Sequence, residues 1–495
     1  MKKIYITLFG AMLAFSSCEL DLKPESSLTY NGFWETEEAV KTAQIGIYNS
    51  FRGQANNFWL MGEMRSDIWG GKTIEDPWNA ELARNNISKT NVFFGNWSGY
   101  YGTLHYINDF IKNAPGVTFR NETEKNHLLG QIHGIRAYMY YTMLKAWGEV
   151  PITTDPLETV TSLEILKKKR APKEEVMTQI KSDLEKSLEY FGTNNALWLN
   201  KNVYWSKAAT LALKGDVYLW SGKVLGGGNA DFTEAKTALE AVSGFSLANY
   251  TSLWGEANEF NNEFIFAFDY QLDQAENNFG VTTARRVDIE TSFDDQGNSF
   301  ADFIANSHNR YGASTKTLLL IDDTDDQRRN TFIRIYSTAG NYIPFADVTE
   351  YRGSMLNKFM GTVGSDGIRR QLSNVPLYRY ADVVLLLAEA KNHLGEDPSA
   401  EINSVRARAY GSNYAVATHG YTNGSQTANA KAILDERYKE FIGEGKRWWD
   451  LVRAGDTYVF DEVATMSASE AYKIYYSISE SMIANDPELT QTAGY

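Results

Sequence analysis

Residues 433–455 read ILDERYKEFIGEGKRWWDLVRAG, and this stretch decides how the rest of the chain is read. Ile433, Leu434, Tyr438 and Phe441 recur at helical spacing and form one apolar face. Asp435 and Lys439 stand four residues apart, the separation of an ion pair on a helix surface. Gly443 and Gly445 then break the helix, and Arg447, Asp450 and Arg453 surround Trp448 and Trp449. A catalytic reading would give Glu440, Glu444 and Asp450 the chemistry. The structural reading is preferred: guanidinium forks take carboxylates bidentately, so this set of charges predicts an Arg–carboxylate network that locks a junction between helices.

Outward from that junction the pattern stays helical. Val176, Ile180, Leu184 and Leu188 repeat every four residues behind Pro172. Further helices are predicted at about residues 36–51, 97–113, 122–147, 206–222, 232–243, 376–394, 400–409 and 430–444. NEFIFAFDY, residues 262–270, is aromatic and β-branched after a polar turn and predicts a strand. LGGGN at 225–229 reads as a turn between helices. Between about residues 271 and 375 the periodicity dissolves into GNSFADFIANSHNR, STAGNYIPFADV and MGTVGSDGIRR, and a stretch this irregular is usually a functional loop region. A second polar loop falls near residues 411–430.

The N-terminus answers where the chain works. Lys2 and Lys3 precede an apolar run from Ile4 to Phe15, then Ser16, Ser17 and Cys18, the single cysteine of 495 residues. The run is too short to span a bilayer and predicts a signal peptide over residues 1–17. Small residues ending at a cysteine resemble the lipobox of bacterial lipoproteins, with Cys18 as the lipidated residue. The formal net charge is −14, which argues against nucleic acid and anionic lipid surfaces as partners.

The six histidines have no metal-ligand spacing, and DDTDDQRRN at 322–330 lacks the spacing of an EF-hand loop; it reads as a turn with local Arg pairing. No metal site, no cofactor and no catalytic residues are assigned. The aromatic residues say more. Trp59, Trp69 and Trp78 lie among Asn57, Asp67, Lys72 and Asp76, and a flat ring flanked by amide, carboxylate and cation suits a sugar. Each Trp taken alone is equally at home in a core. The candidate ligand-binding residues are Trp59, Asp67, Trp69 and Trp78, with Tyr311 and Tyr342 in the irregular region.

ERYKEFIGEGKRWWDLVRAG resembles the C-terminal signature of the SusD/RagB family of Bacteroidetes nutrient-binding lipoproteins. Other segments match in order: FWETEEAVKTAQIGIYNSF, GIRAYMYYTMLKAWGEVPI, NEFIFAFDY, PLYRYADVVLLLAEAKNHLG, INSVRARAYG and NDPELTQTAGY. The terminal stretch departs where the family commonly has Ile-Pro and Asn-Pro. The resemblance implies a mostly α fold of tetratricopeptide-like helix pairs with a large irregular region and few short strands. On that reading residues 18–495 are one domain, with helical scaffold at about 30–250 and 376–460 and ligand-binding loops at about 251–375. It implies no enzyme, but a surface protein at the outer membrane that captures oligosaccharide for a SusC-like TonB-dependent transporter. The alternatives are a RagB-like peptide binder and a surface glycosidase. Glu19 and Asp21 resemble the surface-export signal of these lipoproteins. The family's ligand residues lie in variable loops, so none transfers by position.

Overall fold

The computed structural model describes residues 30–72, 77–159, 161–277, 279, 289–303, 312–346 and 348–495. Cys18 and the signal segment lie outside them, as do Tyr311 and the side chain of Trp78. The fold is mostly α. Its first part runs α1 (Glu37–Arg52), α2 (Ala55–Glu63), α3 (Ser98–Asn113), α4 (Glu122–Trp147), α5 (Lys173–Phe191), α6 (Lys207–Val224) and α7 (Gly228–Glu240). After the irregular region come α8 (Tyr380–His393), α9 (Ser399–Tyr410), α10 (Gln426–Phe441) and α11 (Arg447–Ala454).

Successive helices pair: α4 lies on α5, α6 on α7, and α8 on both α9 and α10. α4 is the centre, buried from His127 to Trp147 because α3, α5 and α6 all pack on it. A helix closed in on all sides must tolerate close neighbours. Gly130 and Gly134, one turn apart, admit Phe191 and the Trp205 indole where a Cβ would collide or crowd. The first turn of α4 carries Glu122 and Glu124, and the Asn121 side chain accepts from Thr123 N at 3.0 Å, as an N-terminal cap should.

Two longer antiparallel pairs of strands join this scaffold, beside a two-residue pair of Thr362–Val363 with Arg369–Arg370. β1 (Phe264–Phe268) pairs with β4 (Val375–Arg379), with Phe264 opposite Arg379. β2 (Phe332–Tyr336) pairs with β3 (Tyr351–Leu356). Two corrections follow. The helix expected over 376–394 begins only at Tyr380, because Val375–Arg379 is taken up by pairing with β1. The region expected to be irregular contains β2, β3 and a helix at Thr315–Leu320, with its own small core of Ile289, Ile335 and Met355. Arg334 interrupts the apolar pattern of β2, yet it is buried and pairs with Asp322 at 3.0 Å.

The charges of residues 433–455 do join an Arg–carboxylate network, but most partners of Glu440 and Glu444 come from elsewhere in the chain. The Arg379 guanidinium donates to Glu263 at 2.6 Å, to Glu440 at 2.7 Å and to Glu444 at 2.8 Å, all four side chains being buried. Lys358 reaches Glu444 at 2.6 Å, Arg408 pairs with Glu440, and Arg328 joins Glu436 at 2.6 Å. Arg453 pairs with Glu389, Asp450 and Asp216. Burial pushes the Glu440 carboxyl up, but Arg408, Arg379 and Arg328 outweigh it and hold the carboxyl well below its usual range. Asp435 pairs with Lys431, one turn before it, instead of the Lys439 one turn after it that its spacing suggested.

The Gly443–Gly445 turn is clamped by α2. Glu63, fully buried, accepts from Gly443 N at 2.7 Å and Gly445 N at 2.9 Å, while Trp59 Nε1 donates to Gly443 O at 2.8 Å. Both glycines have left-handed backbone, φ 81° and 72°. Burial pushes the Glu63 carboxyl up to about 8 against the pull of those two amides.

Candidate ligand-binding face

The sequence candidates divide sharply in space. Trp59 and Trp69 are 4% and 5% exposed and pack edge-on to each other at 6.2 Å. Trp59 also meets Phe279 at 5.6 Å and Trp69 meets Phe332 at 5.6 Å, so these indoles are core residues without a ring face open to a ligand. Asp67 is buried between two cations, with Arg447 Nε at 2.8 Å and Lys316 Nζ at 2.7 Å. Burial pushes its carboxyl up, but those cations win and hold it low. The polar, loop-like context read around Trp59 is in fact α2, whose apolar side is pressed into the core. Trp78 falls in the short helix Pro77–Ala83, its side chain outside the described residues along with Tyr311.

Tyr342 is placed differently. It follows the β2 strand, where the chain turns back towards β3, and its ring is half-buried. One face stacks on Tyr336 at 4.5 Å and 26°. The backbone is pinned by Tyr342 N donating to Asp295 O at 3.0 Å, and the hydroxyl lies 2.7 Å from Thr338 Oγ1. Tyr336 in turn meets Tyr351 edge-on at 5.9 Å, and Lys72 Nζ donates to Tyr351 O at 2.9 Å. A row of three tyrosines with a lysine at its end therefore runs along the β2–β3 pair. Burial, and then the Asp295 charge, push the Tyr336 hydroxyl up, and burial does the same at Tyr351, so both stay neutral at any physiological pH.

Polar groups frame this row. Asp294 caps a turn by accepting from Gln296 N at 2.9 Å and Asn298 N at 2.8 Å. Gly297 of that turn abuts Gly340, two residues from Tyr342. Arg352 Nη1 reaches Ser292 Oγ at 3.2 Å. At the other end, Gly70 N and Gly71 N both donate to Gly312 O at 3.2 Å, and Ser314 N donates to Ile68 O at 2.7 Å. Segment 67–72 is thus welded to segment 312–317 beside the tyrosine row. A ring held rigid on one face, half-exposed and bordered by hydroxyls, amides and cations, can stack on the C–H face of a sugar while its hydroxyls are bonded at the edge.

Tyr336 and Tyr351 were missed in the sequence because both sit in strands that the pattern did not disclose. The alternation in FIRIY was the signal that could have found the first of them. Among the described residues no group of three His, Cys, Asp or Glu is placed to hold a metal ion, and no helix is long and apolar enough to cross a membrane.

Comparison with known proteins gives a consistent result. Residues 262–495 match the family described as the SusD family, and residues 20–219 match one described as starch-binding, associating with outer membrane. The solved structure of B. fragilis NanU superposes with a TM-score of 0.86 at 33% identity, covering 96% of this chain and 100% of that one. SusD-like protein P38 of Formosa agariphila is 23% identical across 97% of this chain and 96% of its own length. The starch-binding protein SusD of Bacteroides thetaiotaomicron is 32% identical over 130 residues, 25% of this chain and 22% of its own.

Proposed function

Because the chain belongs to the SusD family, we propose that it is a lipid-anchored glycan-binding protein of the cell surface, which captures oligosaccharide and passes it to a SusC-like TonB-dependent transporter. The single observation that carries the glycan reading is Tyr342, stacked on Tyr336 and half-exposed among polar groups. The names of the starch-binding relatives point the same way. Cys18 is the anchor in this reading and the role is binding, not hydrolysis. A tethered chain with no membrane-spanning helix among its described residues gains from binding only if its cargo moves on to a transporter. The tests are separate. Calorimetric titration with a panel of neutral oligosaccharides is expected to find one that binds the wild type and is lost in Tyr342→Ala; binding of peptides alone would overturn the glycan reading, and product release would overturn the non-enzymatic one. Cys18→Ala is expected to leave the membrane fraction still folded. Purification in mild detergent is expected to bring down a large barrel protein in near-equal amount, and recovery of this chain alone beside an expressed barrel would overturn the delivery step.

A further inference from the structure

A cleft of about 530 Å³ opens between α1, the segment leading into α6 and the end of β1, formed by elements other than those of the tyrosine row. Tyr48 and Tyr204 meet edge-on at 5.3 Å in its wall. The Tyr48 hydroxyl is used internally, donating to Gln131 Oε1 at 2.8 Å and accepting from Trp205 N at 2.7 Å, so that ring is rigid. The Tyr204 hydroxyl has no hydrogen-bond partner among the described residues.

The charges in this cleft differ from those of the buried junction, where each guanidinium meets a carboxylate. Arg52 is held by two neutral oxygens, with Nη1 donating to Asp269 O at 2.7 Å and Nη2 to Asn49 Oδ1 at 3.0 Å. Lys201 is exposed and lies 6.0 Å from the Phe260 ring, with no ion pair or hydrogen bond among the described residues. The carboxylate in the wall, Asp269, accepts from Gln271 Nε2 at 3.1 Å through both oxygens. The lining thus carries two cations and a free hydroxyl against one carboxylate, a surplus of one positive charge in a chain whose net charge is −14. In a protein so acidic, a cleft whose lining carries a surplus positive charge favours negative ligands.

We propose that this cleft is a second saccharide site, specific for sugars carrying an anionic group, carboxylate or sulfate. Arg52 and Lys201 bind the anion, Tyr204 offers its hydroxyl and ring edge, and the Gln271 amide lies within the same wall. The proposal rests on the glycan-binding reading above, but it uses a different set of residues and fails separately.

The experiment titrates wild type with a galacturonic acid oligosaccharide, a sulfated galactose oligosaccharide and a neutral galactose oligosaccharide of equal length. Binding of either acidic probe, weakening with added salt and absent for the neutral one, is expected; the two acidic arms tell carboxylate from sulfate. The variant Arg52→Gln/Lys201→Gln is expected to lose about tenfold or more in affinity for the acidic probe. Lys201→Gln alone, at an exposed position where folding is not at issue, is expected to lose part of it. Tyr342→Ala should leave acidic binding unchanged, so failure of the tyrosine row and failure of the cleft are distinguishable. Equal binding of neutral and acidic probes, binding of neither acidic probe, or acidic binding abolished by Tyr342→Ala and untouched by the cleft variants would each overturn the proposal.

Discussion

The helix junction around Arg379 and the tyrosine row around Tyr342 are both built from polar and aromatic side chains, yet they treat water in opposite ways. At the junction Arg379, Glu263, Glu440 and Glu444 are withdrawn from solvent and meet their charges in one another and in Lys358 and Arg408. In the tyrosine row one ring face is satisfied by Tyr336 and the rest of Tyr342 stays half-exposed. Desolvating charges is expensive, so a buried cluster is a way of fixing geometry more than a source of net stability. Half-satisfied groups on a rigid backing are what a ligand can complete. The contrast separates residues that hold this molecule together from residues that are free to bind.

The sharpest way to break that contrast is to remove the shared cation. Arg379→Met leaves Glu263, Glu440 and Glu444 short of their common partner, and breaking a buried pair this way costs about 3–5 kcal/mol. Thermal or denaturant unfolding should show a large loss of stability, while the molecules that remain folded bind glycan as before. A loss under about 1 kcal/mol would mean that the cluster relaxes or hydrates, and the junction is not the lock described here.

Trp59 tests the same line from the side of the sequence candidates. Trp59→Phe keeps an aromatic core residue but orphans the Gly443 carbonyl that the indole N–H now meets at 2.8 Å. An unmet buried acceptor costs about 1–3 kcal/mol, so stability should drop by that order with glycan affinity unchanged. If affinity falls and stability does not, Trp59 belongs to the binding surface after all.

Acid should act on the junction and spare the tyrosine row. The folded-state pKa of Glu440 is held below its unfolded value, since Arg408, Arg379 and Arg328 outweigh the effect of burial; Glu444 is held down in the same way by Arg379 and Lys358. A carboxyl depressed in the folded state contributes stability that is full above its unfolded pKa, about 4.3, and is lost as pH falls through the folded value. The contribution of these two carboxyls should therefore hold steady down to about pH 5 and be lost below it, while Glu63, pushed up to about 8, adds stability as the pH falls from there; the fall in denaturation midpoint below about pH 5 should be shallower in Glu440→Gln. An unchanged slope in that variant would place the acid sensitivity elsewhere.

What the sequence disclosed follows the same division. The helices were readable because long apolar periodicities survive any context: α4 was expected at 122–147 and is found at Glu122–Trp147. The junction was readable only in part: Glu440, Glu444, Asp450 and Arg453 lie close together in the chain, whereas Arg379 and Glu263 reach them only through folding. Glu63, by contrast, showed nothing, because its partners Gly443 and Gly445 are brought to it only by tertiary folding. Trp59 and Trp69 proved buried for a related reason. Polar neighbours such as Asp67 look like a binding site in one dimension, and only the fold shows Arg447 and Lys316 waiting for that carboxylate. The β2–β3 pair stayed hidden because short strands with a buried Arg334 carry little pattern.

The smallest effects should come from Tyr342, and they sharpen the comparison most. Tyr342→Ala removes a stacked pair worth about 0.5–1.5 kcal/mol of stability, less than any change at the junction. Yet if the free ring face is where sugar stacks, the same truncation should weaken glycan binding by about 2 kcal/mol, roughly thirtyfold. Tyr342→Phe separates ring from hydroxyl. It keeps the stack on Tyr336 and gives up only the contact with Thr338 Oγ1, so stability should stay within about 0.5 kcal/mol of wild type and affinity within a few-fold. Calorimetric titration of both variants decides the matter. If Phe binds as poorly as Ala, the hydroxyl and its neighbours carry recognition and the stacking argument fails; if both bind as well as wild type, Tyr342 is a structural cap on Tyr336 and the binding surface lies elsewhere on the loops.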